Sequence, residues 1–152
     1  GELVQGLPGR VYFEGQDRHG EPADVEGYVA DDRGKRVASF RSLHDGMGRV
    51  AFTPQAGRTY TAHVTSPPGL DGGFPLPDAL EDGCTLRSYD DLHSDRKAVR
   101  VGVRCSDPTD VTVVGVLRDR PLDAASVRAG PSADAVAKLH KVQTSTQCCH
   151  KE

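Results

Sequence analysis

Near the end of the chain, Cys148, Cys149 and His150 stand in a row, three side chains of the kind that bind soft metals. A structural zinc takes four thiolate or imidazole ligands in a tetrahedron, and adjacent cysteines chelate one ion poorly. No second pair stands at ligand spacing, so the run is read as part of a polar tail rather than as a metal centre. His19, His44, His63 and His93 are scattered over turn-like segments and one strand, and none stands in a recognisable Ser/His/Asp arrangement. They are read as surface or turn residues. The paired carboxylates Asp31-Asp32 and Asp90-Asp91 could hold calcium, but the ordered spacing of a calcium loop is missing. Turn formation accounts for Asp31 and Asp32 without a metal. Gly69, Gly72 and Gly73 lack the following helix and lysine of a phosphate-binding loop, and the neighbouring prolines argue for a rigid crossing. The expectation is therefore no catalytic residue, no cofactor site and no metal site.

Cys84 and Cys105 begin and end a strand-turn-strand unit. A disulfide between them would close about 20 residues and add roughly 3 kcal/mol in an oxidising compartment. Two separately buried thiols are the preferred reading, and four cysteines in all are too few for a disulfide scaffold.

Composition limits the elements that could position such residues. The chain has 152 residues, 36% of them hydrophobic, with no tryptophan and one methionine, and 17 glycines and 10 prolines punctuate it. Punctuation this dense suits short strands. The 19 basic and 22 acidic residues are spread along the chain, so no basic face for nucleic acid or a membrane surface forms. No apolar run approaches the roughly 20 residues needed to span a bilayer, and any export signal would lie outside this sequence.

Strands follow from alternation and from what ends it. Arg10–Glu14 reads as a strand between Leu7-Pro8-Gly9 and a polar turn. Residues 25–29 and 37–40 flank Asp31-Asp32-Arg33-Gly34 as a hairpin. Val50 and Phe52 share one face of residues 49–53, which Pro54 ends. Tyr60, Ala62 and Val64 give the clearest period of two. Four prolines and three glycines between Ser66 and Pro77 make a crossing between sheets, plugged by Phe74 and Leu76. A second series comprises 84–89, 98–105 and 111–117, with 98–105 expected to pair antiparallel with 111–117 across Asp107-Pro108-Thr109-Asp110. Beyond Pro121 the run of alanines with Val136 and Leu139 suggests one short amphipathic helix, and 143–152 a poorly ordered tail.

Strands recurring every 8–12 residues without intervening helices indicate an all-β, antiparallel, immunoglobulin-like β-sandwich. The stretch Glu2–Phe13 resembles the first strand of macroglobulin-type domains in bacterial alpha-2-macroglobulin-like proteins, which often read "GG-x-L-V-x-G-x-x-x-x-V-x-F", with Gly1 standing for the second glycine of that opening. Gly20–Gly27 is similar to that family's "G-x-P-x-x-[IV]-x-G", and the likeness is most specific from His44 through Pro54 with Gly57 and Tyr60. It covers residues 1–80 well and weakens after 84. It implies a module from a string of sandwiches, in a protein that traps proteases or stands on the cell envelope. The thioester Cys-Gly-Glu-Gln of the trapping members is absent, since Cys84 is followed by Thr85 and Leu86.

The resulting division is a sandwich domain at 1–82, the start of a second β module at 83–120, and a tail at 121–152. The expected role is a non-catalytic structural or interaction module of a larger secreted, periplasmic or envelope protein. Its expected partners are neighbouring domains and a protease or another protein. The alternative is a ligand-binding or adhesion sandwich that contacts carbohydrate or protein through its loops. Exposed edge strands in such modules call for a partner that pairs with or covers them.

Overall fold

The computed structural model describes residues 2–69, 72–90 and 97–140. Asp91, His93 and the Cys148-Cys149-His150 run lie outside the described residues, as does the tail expected at 143–152. The described residues form eleven strands in antiparallel ladders and no helix. The all-β sandwich expected from the alternation is the observed fold.

The first unit holds β1 (Gly9–Glu14), β2 (Glu26–Asp31), β3 (Arg36–His44), β4 (Met47–Phe52), β5 (Tyr60–Ser66) and β6 (Phe74–Pro75), in the order β1-β4-β3-β2-β5-β6. β2, β3 and β4 are joined by tight turns, and β5 returns to lie beside β2, which is a Greek key. The β2–β3 turn is held by Asp31, whose Oδ1 accepts the N–H groups of Arg33 (3.0 Å) and Lys35 (2.8 Å). The β3–β4 turn puts Asp45 and Gly46 at φ 47° and 72°. A Cβ on Gly46 would lie 2.3 Å from the Gly15 carbonyl oxygen, so glycine is required there for space as well as for conformation.

β3 belongs to both layers. Its first residues, Arg36–Arg41, pair with β2, whereas Ser42 and His44 pair with β4, with a register shift between them. This irregularity folds the sheet over on itself. Leu3, Val29, Val50, Phe52 and Tyr60 fill the space between the layers, with Val11, Phe40 and Leu76 packed against them. The strict alternation of β4 aims Gly48, Val50 and Phe52 inward. Phe52 and Tyr60 meet at 4.8 Å between ring centroids, and the Tyr60 hydroxyl accepts the Gln55 N–H at 2.8 Å, so the ring keeps its polar end satisfied.

Residues before β1 act as a strap. Val4 bridges Leu80, with Gln5 N–H to Leu80 C=O at 2.9 Å and Leu80 N–H to Leu3 C=O at 2.8 Å. Leu3, Val4 and Leu7 of this segment are buried.

The second unit contains β7 (Cys84–Ser88), β8 (Ala98–Cys105), β9 (Thr109–Leu117), β10 (Arg120–Ala129) and β11 (Ala135–His140). A three-stranded sheet β11-β8-β7 packs on the β9–β10 hairpin around Val103, Cys105 and Ala129. The second unit departs from three expectations. β8 pairs with β7 and β11, and not with residues 111–117, because the chain after Cys105 crosses to the other layer before β9 starts. The expected helix is absent: residues 120–129 and 135–140 are strands, and the tail assigned from 121 begins with two elements of this sandwich. Its alanines are small because the layers meet closely, with Ala129 and Ala137 almost wholly buried, so packing overrides their helix propensity. Cys84 and Cys105 are bonded to each other, and are not separate thiols, because the β7–β8 register sets them directly opposite.

Candidate functional site

Among the described residues the six-stranded sheet ends at β1 and β6, and the fold brings both margins to the same groove of the first sandwich. Between them the layers stay apart, leaving a groove of about 350 Å³. Val11 and Phe13 of β1 form one wall, and Val64, Phe74 and Leu76 form the other, with Phe40 at the floor. The volume lies near the lower bound of small-ligand sites. The consecutive residues Val11 through Gln16 all line it, so the groove runs along β1. β6 lasts two residues and its pairing with β5 stops at Ala62 opposite Phe74. Nothing described lies beyond β6 to cover the Phe74 ring, which is 55% exposed although it was expected to plug the crossing. Leu76 does enter the core, with its N–H on the Tyr60 carbonyl at 2.9 Å. Tyr12 stands at the groove, 65% exposed.

The electrostatics of the groove are simple. Among the described residues lining it, Glu14 alone is charged, and its Oε1 accepts one hydrogen bond from the Gln16 amide at 3.2 Å.

A second cluster sits where the two units meet. Asp134, from the β10–β11 connection, receives Arg104 Nε on Oδ1 at 2.7 Å and Arg87 Nε on Oδ2 at 2.7 Å, and the Tyr89 hydroxyl also donates to Oδ2. Burial pushes this carboxyl up, yet the Tyr89 and Arg104 hydrogen bonds and the charges of Arg87 and Arg104 outweigh it and hold Asp134 below its ordinary range. A Cβ on Gly102 would lie 2.7 Å from the Tyr89 ring and 2.9 Å from Asp134 Oδ2, so the glycine gives this cluster its seat on β8. Its donors and acceptors are matched to one another, which is the pattern of a structural lattice.

No family model, curated protein or solved structure matches the chain.

The candidates singled out by residue type do not converge. His44 is exposed at the end of β3 beside Asp45 (2.9 Å). His63 stacks on Tyr28 with centroids 5.1 Å apart, and His19 takes a hydrogen bond from its neighbour Arg18. Asp31 caps a turn, and Asp32 pairs with Arg58 at 3.0 Å. Asp90 is paired with Arg100 through the Arg100 main-chain N–H (2.7 Å) and Nη2 (2.9 Å). Gly69 and Gly72 take positive φ in the crossing before β6. Among the described residues no group of three or more His, Cys, Asp or Glu could hold a metal ion. No described helix is long and apolar enough to cross a membrane.

Residue-type reasoning does not reach the groove, because β1 forms one wall and β5 with the crossing forms the other, more than 45 positions further along the chain. The available signal was the two-residue length that Pro75 and Pro77 impose on β6.

Proposed function

We propose that the chain is a non-catalytic structural and interaction module of a larger extracytoplasmic protein of the alpha-2-macroglobulin-like kind. What carries this reading is the use the fold makes of the residues behind the resemblance. Gly46 relaxes the β3–β4 turn, Gly48 leaves room for the Phe13 ring, Phe52 and Tyr60 fill the core, and Pro54 is buried where β4 ends. Each serves packing, as a scaffold motif should. Two β units in tandem suit a string of modules, and the Leu3–Leu80 strap fastens the start of the chain to the segment that leads into the second unit. The Cys84–Cys105 bond supports an oxidising location.

The reading is tested by raising antibodies against the chain and fractionating the source cells. It expects a much longer polypeptide in the secreted or envelope fraction, with Cys84 and Cys105 found bonded by mass spectrometry. A free polypeptide of about this size, 16.3 kDa, with reduced cysteines in the cytoplasm would overturn it.

A second reading, a sandwich that contacts carbohydrate or protein through its own surface, draws on the exposed aromatics Tyr12 and Phe74. Binding of the chain to a glycan array, lost in Tyr12→Ala, would favour the carbohydrate form of it.

A further inference from the structure

The groove of the first sandwich has the chemistry of a strand receptor. Three observations meet there. Its walls are apolar and half exposed, although a sandwich interior is normally dry and closed. Its long side is the edge of β1 that no described residue pairs: the Gly15 N–H bonds the Gly46 carbonyl at 2.9 Å, and strand alternation then turns the main-chain groups of Tyr12 and Glu14 away from β4, towards the groove side. Among the described residues its single lining charge is the Glu14 carboxylate, which is met by the neutral Gln16 amide.

An open row of N–H and C=O groups beside apolar walls recognises an extended backbone, since such a backbone satisfies the edge while its alternate side chains fill the cleft. A small apolar ligand would leave the edge unanswered. The space of about 350 Å³ takes roughly two aliphatic or aromatic side chains, judged against a cavity of about 150 Å³ that holds one benzene. We infer that this groove binds an extended segment of another polypeptide, added as a strand along β1, with apolar residues at two alternate positions and a lysine or arginine beside Glu14. This names the partner chemistry for the interaction half of the reading above. Its test uses the chain alone, so the outcome is independent of which parent protein the fractionation reveals.

The test is fluorescence anisotropy of the whole 152-residue chain with a labelled peptide of about seven residues, alternating valine and threonine and ending in lysine. Saturable binding is expected, weakened at least about tenfold by Phe74→Asp and by Tyr12→Pro. Phe74 and Tyr12 are both largely exposed, and the Tyr12 N–H faces away from β4, so both variants should keep the fold, which circular dichroism checks. The same peptide methylated at alternate amide nitrogens should not bind, and one ending in glutamate should bind more weakly. Equal binding of the methylated peptide, or no binding of any peptide, overturns the inference. So does saturable uptake of anilinonaphthalene sulfonate that Tyr12→Pro leaves unchanged while the peptide stays unbound, which would make the groove a small-ligand site. Dimerisation of the chain by sedimentation, abolished by Phe74→Asp, would assign the groove to a second copy and equally overturn it.

Discussion

The two sandwiches reach stability by different means. The first buries aromatic rings and large aliphatic side chains inside one continuous six-stranded sheet, and it contains no disulfide. The second has only valine, alanine and cysteine in its buried cluster, splits its strands into a trio and a pair, and adds a covalent tie and the Asp134 ion-pair lattice. Apolar area is the main source of folding energy, so a unit with small core residues needs a constraint on its unfolded chain. The difference shows how two neighbouring modules of one fold class can divide these devices between them.

Separate cores predict two unfolding transitions in urea, and substitutions that touch one unit should leave the other unmoved. Phe52→Ala should have the largest effect, removing about 3–5 kcal/mol from the first transition alone. Replacing Cys84 and Cys105 together by serine should cost the second transition roughly 3 kcal/mol, as expected for a loop closed at a separation of 21 residues. If both transitions shifted together in either variant, the units would be one cooperative body and the contrast would fail.

Asp134→Asn should lower the second transition by about 1–3 kcal/mol, because two arginines and a tyrosine lose their shared acceptor. Acid sharpens the same point. A carboxyl held below its usual value of 3.8 stabilises fully above that value, and the contribution is lost as pH falls through the lowered one. The second unit carries two such groups: Asp134, and Asp123, which is lowered chiefly by the His140 main-chain N–H. The first carries Asp31, lowered chiefly by the Lys35 N–H. Urea midpoints followed from neutral pH into acid should therefore fall further for the second transition, and Asp134→Asn should narrow the gap. The smallest effect is expected for Tyr60→Phe, about 1 kcal/mol from the first transition, since it removes only the acceptor of the Gln55 N–H.

What was legible in the sequence follows the same division. In the first unit, alternation at Tyr60, Ala62 and Val64, the turn at Asp31–Gly34 and the stop at Pro54 located the strands and their inward faces, because each is a local signal. In the second unit the decisive facts are long-range. Nothing local says that 98–105 pairs with 84–88 and 135–140 in place of 111–117, and without that register the bond between Cys84 and Cys105 cannot be inferred. The alanines of 124–137 satisfy a helical pattern as well as a closely packed strand, and only the facing layer decides between them. The groove is legible in neither way, since it is made by an absence of pairing between segments far apart in the chain.

β3 has a mechanical consequence for that groove. Since one strand is shared by both layers, the first sandwich is built like a book with β3 as its spine and β1 and β6 as the fore-edges. Bending at the Ser42–His44 register shift changes the gap at the fore-edges most and the pairing along β3 itself least. Whatever lies between the fore-edges holds the covers at a set angle, and amide exchange across both layers should slow together when it is in place.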